Sequence, residues 1–237
     1  VSYVTATGDV VVDLRVNGLG EATATGGGGN DTLLSIENVI GSSFNDTIYG
    51  TDVSNHLYGG GGADSIIGGA GGDWMYGGSG DDTYVLDDYA EFVTENAGEG
   101  IDYVFASVSW TMAPQLSTEL EYIWAADEAS TVALELAGSY SANDLRGNAG
   151  INTLYGMEGD DALYGFAGND TLYGDDGKDT LFGGAGQDTM SGGAGDDYYY
   201  VDDALDVVYE EWPGGNDTVE STASFTMDPN QEIEKLV

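Results

Sequence analysis

At 237 residues, with 39 glycines and 43 acidic side chains against 4 basic ones, the chain carries a formal net charge of −39. That much like charge opposes any compact state unless a cation is folded in with it. The four cations, Arg15, Arg146, Lys178 and Lys235, are scattered, which excludes nucleic acid and disfavours an anionic membrane surface, because both need clustered Lys and Arg.

The absence of cysteine removes a disulfide framework, a thiolate metal site and a catalytic thiol. The counter-charge that this composition asks for is a hard divalent metal held by oxygen ligands. No apolar stretch approaches the length of a membrane span, so no membrane insertion is expected. The opening VSYVTATGDV has neither an initiator Met nor a signal-peptide pattern, and the chain reads as a piece of a longer protein.

In chain order, residues 1–40 form an N-terminal β cap, with strands expected at VVVDLRV (10–16) and SIENVI (35–40) and an isolated repeat copy, GGGGNDTLL, at 26–34. Solenoid ends need such a cap to shield the first hydrophobic layer. From Gly41 a nine-residue period runs as GSSFNDTIY, GTDVSNHLY, GGGGADSII, GGAGGDWMY and GGSGDDTYV, giving a first repeat block at 41–105. Connecting strands follow at 106–137. The period resumes at Gly138 with GSYSANDLR, GNAGINTLY, GMEGDDALY, GFAGNDTLY, GDDGKDTLF, GGAGQDTMS and GGAGDDYYY, a second block at 138–220. Residues 221–237 read as a capping segment that is cut short. The blocks dissolve alike: GGSGDDTYVLDD at 77–88 corresponds to GGAGDDYYYVDD at 192–203, an offset of 115 residues. In these tails Glu91 and Asp206 fall at position 6, and after a two-residue slip Asp102 and Asp217 resume the pattern.

Each nonad has the form GGxGxDxUx, with U a large apolar residue. Glycine at positions 1, 2 and 4 suits positive φ values and close backbone approach. Position 8 carries Ile48, Leu57, Ile66, Met75, Tyr84, Leu145, Leu154, Leu163, Leu172, Leu181, Met190 and Tyr199. It points inward while positions 7 and 9 point out. Three-residue strands are too short to be stable alone and gain stability by stacking into a parallel sheet.

These repeats resemble the RTX, hemolysin-type calcium-binding proteins over nearly the whole chain. The resemblance implies an all-β fold, a parallel β-roll (a β-helix solenoid) in two stacked RTX blocks, with two nonads per turn and calcium ions between successive turns. It also implies secretion from a bacterium through a type I pathway. Since strands alternate between the two sides of such a roll, each Asp stacks over the one eighteen residues away. The pairs are Asp46 with Asp64, Asp64 with Asp82 and Asn55 with Asp73, then Asn152 with Asp170, Asp161 with Asp179, Asp170 with Asp188 and Asp179 with Asp197. With Asp31 from the isolated copy and with Asp102 and Asp217 from the tails, these are the expected metal ligands, multiple Ca²⁺ being the cofactor. Turn carbonyls would complete the oxygen shells. Asn55, Asn143 and Asn152 replace the carboxylate at block starts, so the first sites of each block should be weaker.

Adjacent carboxylates such as Asp81/Asp82 and Asp160/Asp161 could mimic a glycosidase pair, but their recurrence at every turn makes them ligands or turn formers. His56, the one histidine, falls at the outward position 7 and supports no Ser-His-acid arrangement. No enzymatic function is expected of this chain by itself. Outward position 9 carries Tyr49, Tyr58, Tyr76, Tyr155, Tyr164, Tyr173 and Phe182. Such ladders brace neighbouring strands, or stack on sugar rings.

Three readings remain. The first is a calcium-dependent structural and folding module of a larger, adhesin-like secreted protein. The second is a carbohydrate-binding or adhesive module on a polysaccharide or cell surface, and the third is the non-catalytic C-terminal part of a secreted hydrolase or epimerase. The cap that ends RTX tails of secreted proteases and epimerases is not found, which puts the adhesin-like reading ahead.

Overall fold

The computed structural model describes residues 1–16, 20–27, 29–111, 119–210, 214–225 and 233–237. Among them all regular structure is β, with no helix, and the architecture is a parallel β-solenoid. The chain divides into two compact units, the first carried by Val1–Val108 and the second by Glu121–Val237. Gly28 of the isolated copy, 112–118 of the expected connecting strands and 226–232 of the expected capping segment lie outside the described residues.

In the first unit, strands Thr47–Tyr49, Ser65–Ile67, Thr83–Leu86 and Tyr103–Ala106 pair in parallel as one sheet. Strands Asn38–Ile40, His56–Gly61, Trp74–Ser79 and Phe92–Thr94 form the other. The second unit repeats the scheme. One sheet holds Tyr122–Ala125, Asp144–Arg146, Ala162–Ala167, Thr180–Ala185, Tyr198–Val201 and Asp217–Ser221, and Ile233–Leu236 pairs at its end. The other holds Leu134–Ala137, Asn152–Glu158, Thr171–Asp176, Thr189–Ala194 and Val207–Tyr209. Partners within the repeats sit eighteen residues apart, as Leu163 with Leu181 and Leu172 with Met190 show. Every position-8 side chain from Ile48 to Tyr199 is fully buried, so each unit encloses a column of Leu, Ile, Met and Tyr between its two sheets. A strand of this length buries only one such side chain per turn, and stacking of turns makes the core continuous.

Several strands are longer than the three residues expected. Asn152–Glu158 and Ala162–Ala167 continue through positions 1 to 3, where Met157 pairs with Asp175 and Phe166 with Gly184. The structure also separates the roles of the glycines. Positions 2 and 4 take positive φ, as at Gly60 (115°) and Gly62 (101°), and Met157, Phe166 and Asp175 adopt it at position 2 with side chains present. Position 1 is glycine for a different reason. A Cβ on Gly174 would come within 2.6 Å of the Gly192 carbonyl oxygen one turn on, and closer still to the carboxylate of Asp179.

The N-terminal strand Val10–Asp13 adds in parallel to Thr47–Tyr49. The isolated repeat copy does not make a roll turn. Strands Ala22–Gly26 and Gly29–Leu33 form an antiparallel hairpin beside Val10–Asp13, with Ala24 opposite Asp31. Asp31 stands fifteen residues before Asp46, out of phase with the eighteen-residue turn, so its strand has no roll neighbour to stack on and folds back onto its predecessor.

Outward side chains stack along the sheets. Tyr58 lies on Tyr76 with ring centroids 4.7 Å apart, Tyr155 on Tyr173 at 5.2 Å and Tyr164 on Phe182 at 4.9 Å, all within 9° of parallel. His56 is exposed and begins another stack with Trp74 and Phe92. Two of the four cations cover ladder rings: Arg15 sits 4.0 Å from the Tyr49 centroid, and Arg146 lies between Trp124 and Tyr164. Both also pair with carboxylates, of Asp13 and Asp144 respectively.

Candidate metal centre

The position-6 side chains lie where the strand begins, directed between successive turns. The apolar residue two places on anchors the strand in the core, and the Gly-rich loop bends the chain back over the carboxylate. Asp46, Asp64, Asp73, Asp82, Asp102, Asp161, Asp170, Asp179, Asp188, Asp197 and Asp217 are all buried, as are Asn55 and Asn152.

One bond repeats along each side of the roll: the backbone N–H of a position-6 residue donates to Oδ1 of the Asp one turn later. In the first unit Asp46 donates to Asp64, Asn55 to Asp73 and Asp64 to Asp82, each at 2.7 Å. In the second, Asn143 donates to Asp161 (2.6 Å), Asn152 to Asp170 (2.7 Å), Asp161 to Asp179 (2.8 Å), Asp170 to Asp188 (2.8 Å) and Asp179 to Asp197 (2.7 Å). The bond survives the two-residue slip, from Asp82 to Asp102 at 2.8 Å and from Asp197 to Asp217 at 2.9 Å. The structure thus joins the expected residues at the expected spacing, Asp31 excepted. Asp31 is exposed on its hairpin and accepts a hydrogen bond from the Tyr3 hydroxyl at 3.2 Å, away from every ladder.

The second carboxylate oxygen is the unusual atom. Oδ2 of Asp64, Asp73, Asp82, Asp161, Asp170, Asp179, Asp188 and Asp197 is buried without any hydrogen-bond partner. Each of these oxygens lies against the position-1 glycine of its own turn, and at Gly59, Gly156, Gly165 and Gly174 the glycine carbonyl one turn on lies there too, in a space that a Cβ would fill. Leaving one such oxygen unpaired costs about 1–3 kcal/mol, more when it is charged. A cation between turns would relieve this cost at each repeat, and the donor set of carboxylate and carbonyl oxygens suits calcium.

Electrostatics agree. Desolvation pushes the carboxyl of Asp64 up to about 8, Asp82, Asp161, Asp179 and Asp188 to about 7, and Asp73, Asp170 and Asp197 to about 6. Like charges above and below add to the rise, notably at Asp64 from Asp82 and Asp46, while the backbone N–H opposes it. Burial thus makes ionisation of these carboxyls costlier than that of a free aspartate, a cost that a bound cation would offset.

At Asn152 the amide nitrogen is satisfied by the chain itself. Its Nδ2 donates to the carbonyls of Asn148 (3.0 Å) and Gly150 (2.9 Å). Asn55 Nδ2 donates likewise to the Glu37 carbonyl at 3.0 Å.

Four tail residues escaped the expected ligand set. Asp206 continues the ladder, accepting from Asp188 N–H at 3.0 Å. Glu91 reaches the Gly68–Asp73 turn from a longer side chain and accepts from Asp87 N–H at 2.9 Å. Glu95 and Glu210 are buried where a position-1 glycine would otherwise stand, eighteen residues after Gly77 and Gly192. Each forms a triad, Asp82–Glu95–Asp102 in the first unit and Asp197–Glu210–Asp217 in the second, with one oxygen of every carboxylate within 4.8 Å of the others. The sequence signal was there: a glutamate in the glycine column, and tyrosine in place of an aliphatic residue at position 8.

A parallel roll with carboxylates and turn carbonyls converging between its turns defines a calcium-binding repeat protein. The chain matches the RTX calcium-binding nonapeptide repeat over residues 18–35, 36–52, 49–84, 138–172, 164–199 and 173–207, which together make up more than half of it. It belongs to that family. No curated protein matches it. The chain is therefore a calcium-binding structural module, of a repeat type characteristic of secreted bacterial proteins.

Proposed function

We propose that this chain is a calcium-triggered folding module of a larger, adhesin-like bacterial protein, exported through a type I pathway unfolded and folding outside the cell, with no catalytic role of its own. The observation that supports the reading is the row of buried Oδ2 atoms without partners, because such oxygens call for a cation between turns. For a dissociation constant of about 10⁻⁴ M, in the weak extracellular class, millimolar calcium contributes roughly 1.4 kcal/mol per site, and submicromolar cytosolic calcium contributes essentially nothing.

The aromatic ladders favour this over polysaccharide recognition. Their rings lie face to face along the sheet, so each ring gives one face to its neighbour and the ladder braces the strands.

Circular dichroism tests the reading. In chelator the chain should give a disordered spectrum that converts to β on millimolar calcium, with magnesium a poor substitute because it prefers a small octahedral shell and keeps its waters. A β spectrum and melting temperature independent of calcium would overturn it.

A further inference from the structure

We infer that each unit ends in a second kind of cation site, the triads Asp82–Glu95–Asp102 and Asp197–Glu210–Asp217, which binds a hard divalent cation of the calcium class more tightly than the regular turns do.

The argument begins with what the two triads share and the regular turns lack. A regular step brings together two position-6 side chains, and its third contributor is a glycine carbonyl, as at Gly59, where Asp64 Oδ2 and the Gly77 carbonyl converge. At Gly77 itself the pattern changes: the neighbours in that space are Asp82 Oδ2 and the hydroxyl of Tyr84. Tyr84 donates to Oε1 of Glu95 and accepts the Gly77 N–H at 2.5 Å, while the same N–H also reaches Glu95 Oε1 at 3.1 Å. The second unit copies this, Tyr199 donating to Glu210 and accepting the Gly192 N–H at 2.5 Å. A neutral carbonyl has thus been replaced by a carboxylate, and a tyrosine fixes its rotamer.

The arrangement holds the other oxygen of Glu95 still without giving it a partner. Glu95 is 0% exposed, and its Oε2, like Asp82 Oδ2 and Asp197 Oδ2, has no hydrogen-bond partner. No protein cation is at hand in the first unit. Its one basic residue, Arg15, is engaged with Asp13 on an exposed strand and covers Tyr49. What neutralises three carboxylates within 4.8 Å of one another is then a proton or a metal ion.

Two features favour the metal. Three carboxylate donors exceed the two of a ladder step, and calcium sites tighten with ligand charge and rigidity. The positions also recur 115 residues apart with the tyrosine and the glycine turn, although both glutamates lie beyond the repeat matches that end at 84 and 207. The two units therefore carry the same departure from the repeat at the same place in the roll.

The inference rests on the calcium-binding reading only for the identity of the ion, and its test separates the two. The full chain is titrated with calcium against a competing chelator, counting ions bound by affinity class, alongside Glu95→Gln, Glu210→Gln, the double variant and the ladder variant Asp170→Asn, whose steps involve no triad residue. The wild type should show a class of two ions bound about tenfold or more tightly than the rest. Each single Gln variant should lose one of them, the double both, and Asp170→Asn neither, while saturating calcium still folds all of them. Glutamine keeps the size of glutamate and can still accept from tyrosine, so a triad held by a proton would leave the Gln variants with the wild-type count, and that result overturns the inference. Should the double variant fail to fold, the singles decide, each with the other unit's triad as its reference. Two tight ions with no weaker class and no folding transition would sink the folding-module reading and leave the triads standing; absence of any tight class would do the reverse.

Discussion

Replacing Asp179 by alanine removes a side chain that takes part in two ladder steps. Its Oδ1 accepts the Asp161 N–H at 2.8 Å, and its own N–H donates to Asp197 at 2.7 Å. The substitution strands the buried Asp161 N–H, at about 1–3 kcal/mol. It also removes a ligand from the steps shared with Asp161 and Asp197, each worth roughly 1.4 kcal/mol in millimolar calcium. The loss comes to about 4–6 kcal/mol. The described residues of the second unit contain seven such steps. Spread over the five that survive, the loss should raise the calcium midpoint of folding roughly four- to eightfold. Asp179→Asn keeps an acceptor for the Asp161 N–H and so should show only the metal part, about half the effect. Asp176→Ala is the control, an exposed position-3 residue three places away, expected to shift stability by no more than about 0.5 kcal/mol. The assay is β signal by circular dichroism against free calcium. Equal midpoints for Asp179→Ala, Asp176→Ala and the parent would refute metal binding between turns, and damage from Asp176→Ala alone would place the ions on the loop face instead.

Further expectations concern protons, glycines and strain. Burial pushes the carboxyls of Asp161, Asp179 and Asp188 up to about 7, above the ordinary aspartate value. Folding in chelator therefore takes up protons, and stability of the calcium-free roll should be greatest below about pH 4 and be lost as pH rises to about 7. Chelator-treated chain that gains no β signal on acidification would contradict this, and calcium added near neutral pH should release protons. Gly174→Ala would drive a Cβ onto Asp179 Oδ2 and the Gly192 carbonyl, so its calcium midpoint should rise at least as far as that of Asp179→Asn; a parental midpoint would show that the space is not used. Asp175→Gly relieves a φ of 72° on a side chain whose pKa burial and Asp176 both raise, and should stabilise the calcium-loaded protein by about 1 kcal/mol in thermal or denaturant melts. A lower melting point would mean that the Asp175 carboxylate serves a purpose here unrelated to strain.

The nine-residue period determined which side chain points in and where each carboxylate falls on its strand, while the resemblance to RTX repeats supplied two nonads per turn, and with it the eighteen-residue meeting that the strand register shows. Those features are legible because a strictly repeating chain brings each residue against its own copy, so that Leu163 over Leu181 and Asp161 over Asp179 are one statement about spacing. Only the tertiary structure decided what happens where the period fails. Asp31 carries the motif but sits out of phase, and competition between strands put it on an antiparallel hairpin instead of a roll turn. The glutamates at 95 and 210 carry no motif, yet a turn two residues longer and a tyrosine hydroxyl bring them into the same buried space as two aspartates. The partners of Oδ1 and the solitude of Oδ2 were likewise invisible beforehand, because hydrogen bonding of one carboxylate oxygen depends on atoms of another turn placed to within a few tenths of an ångström, and repeat spacing fixes neighbours only to the residue.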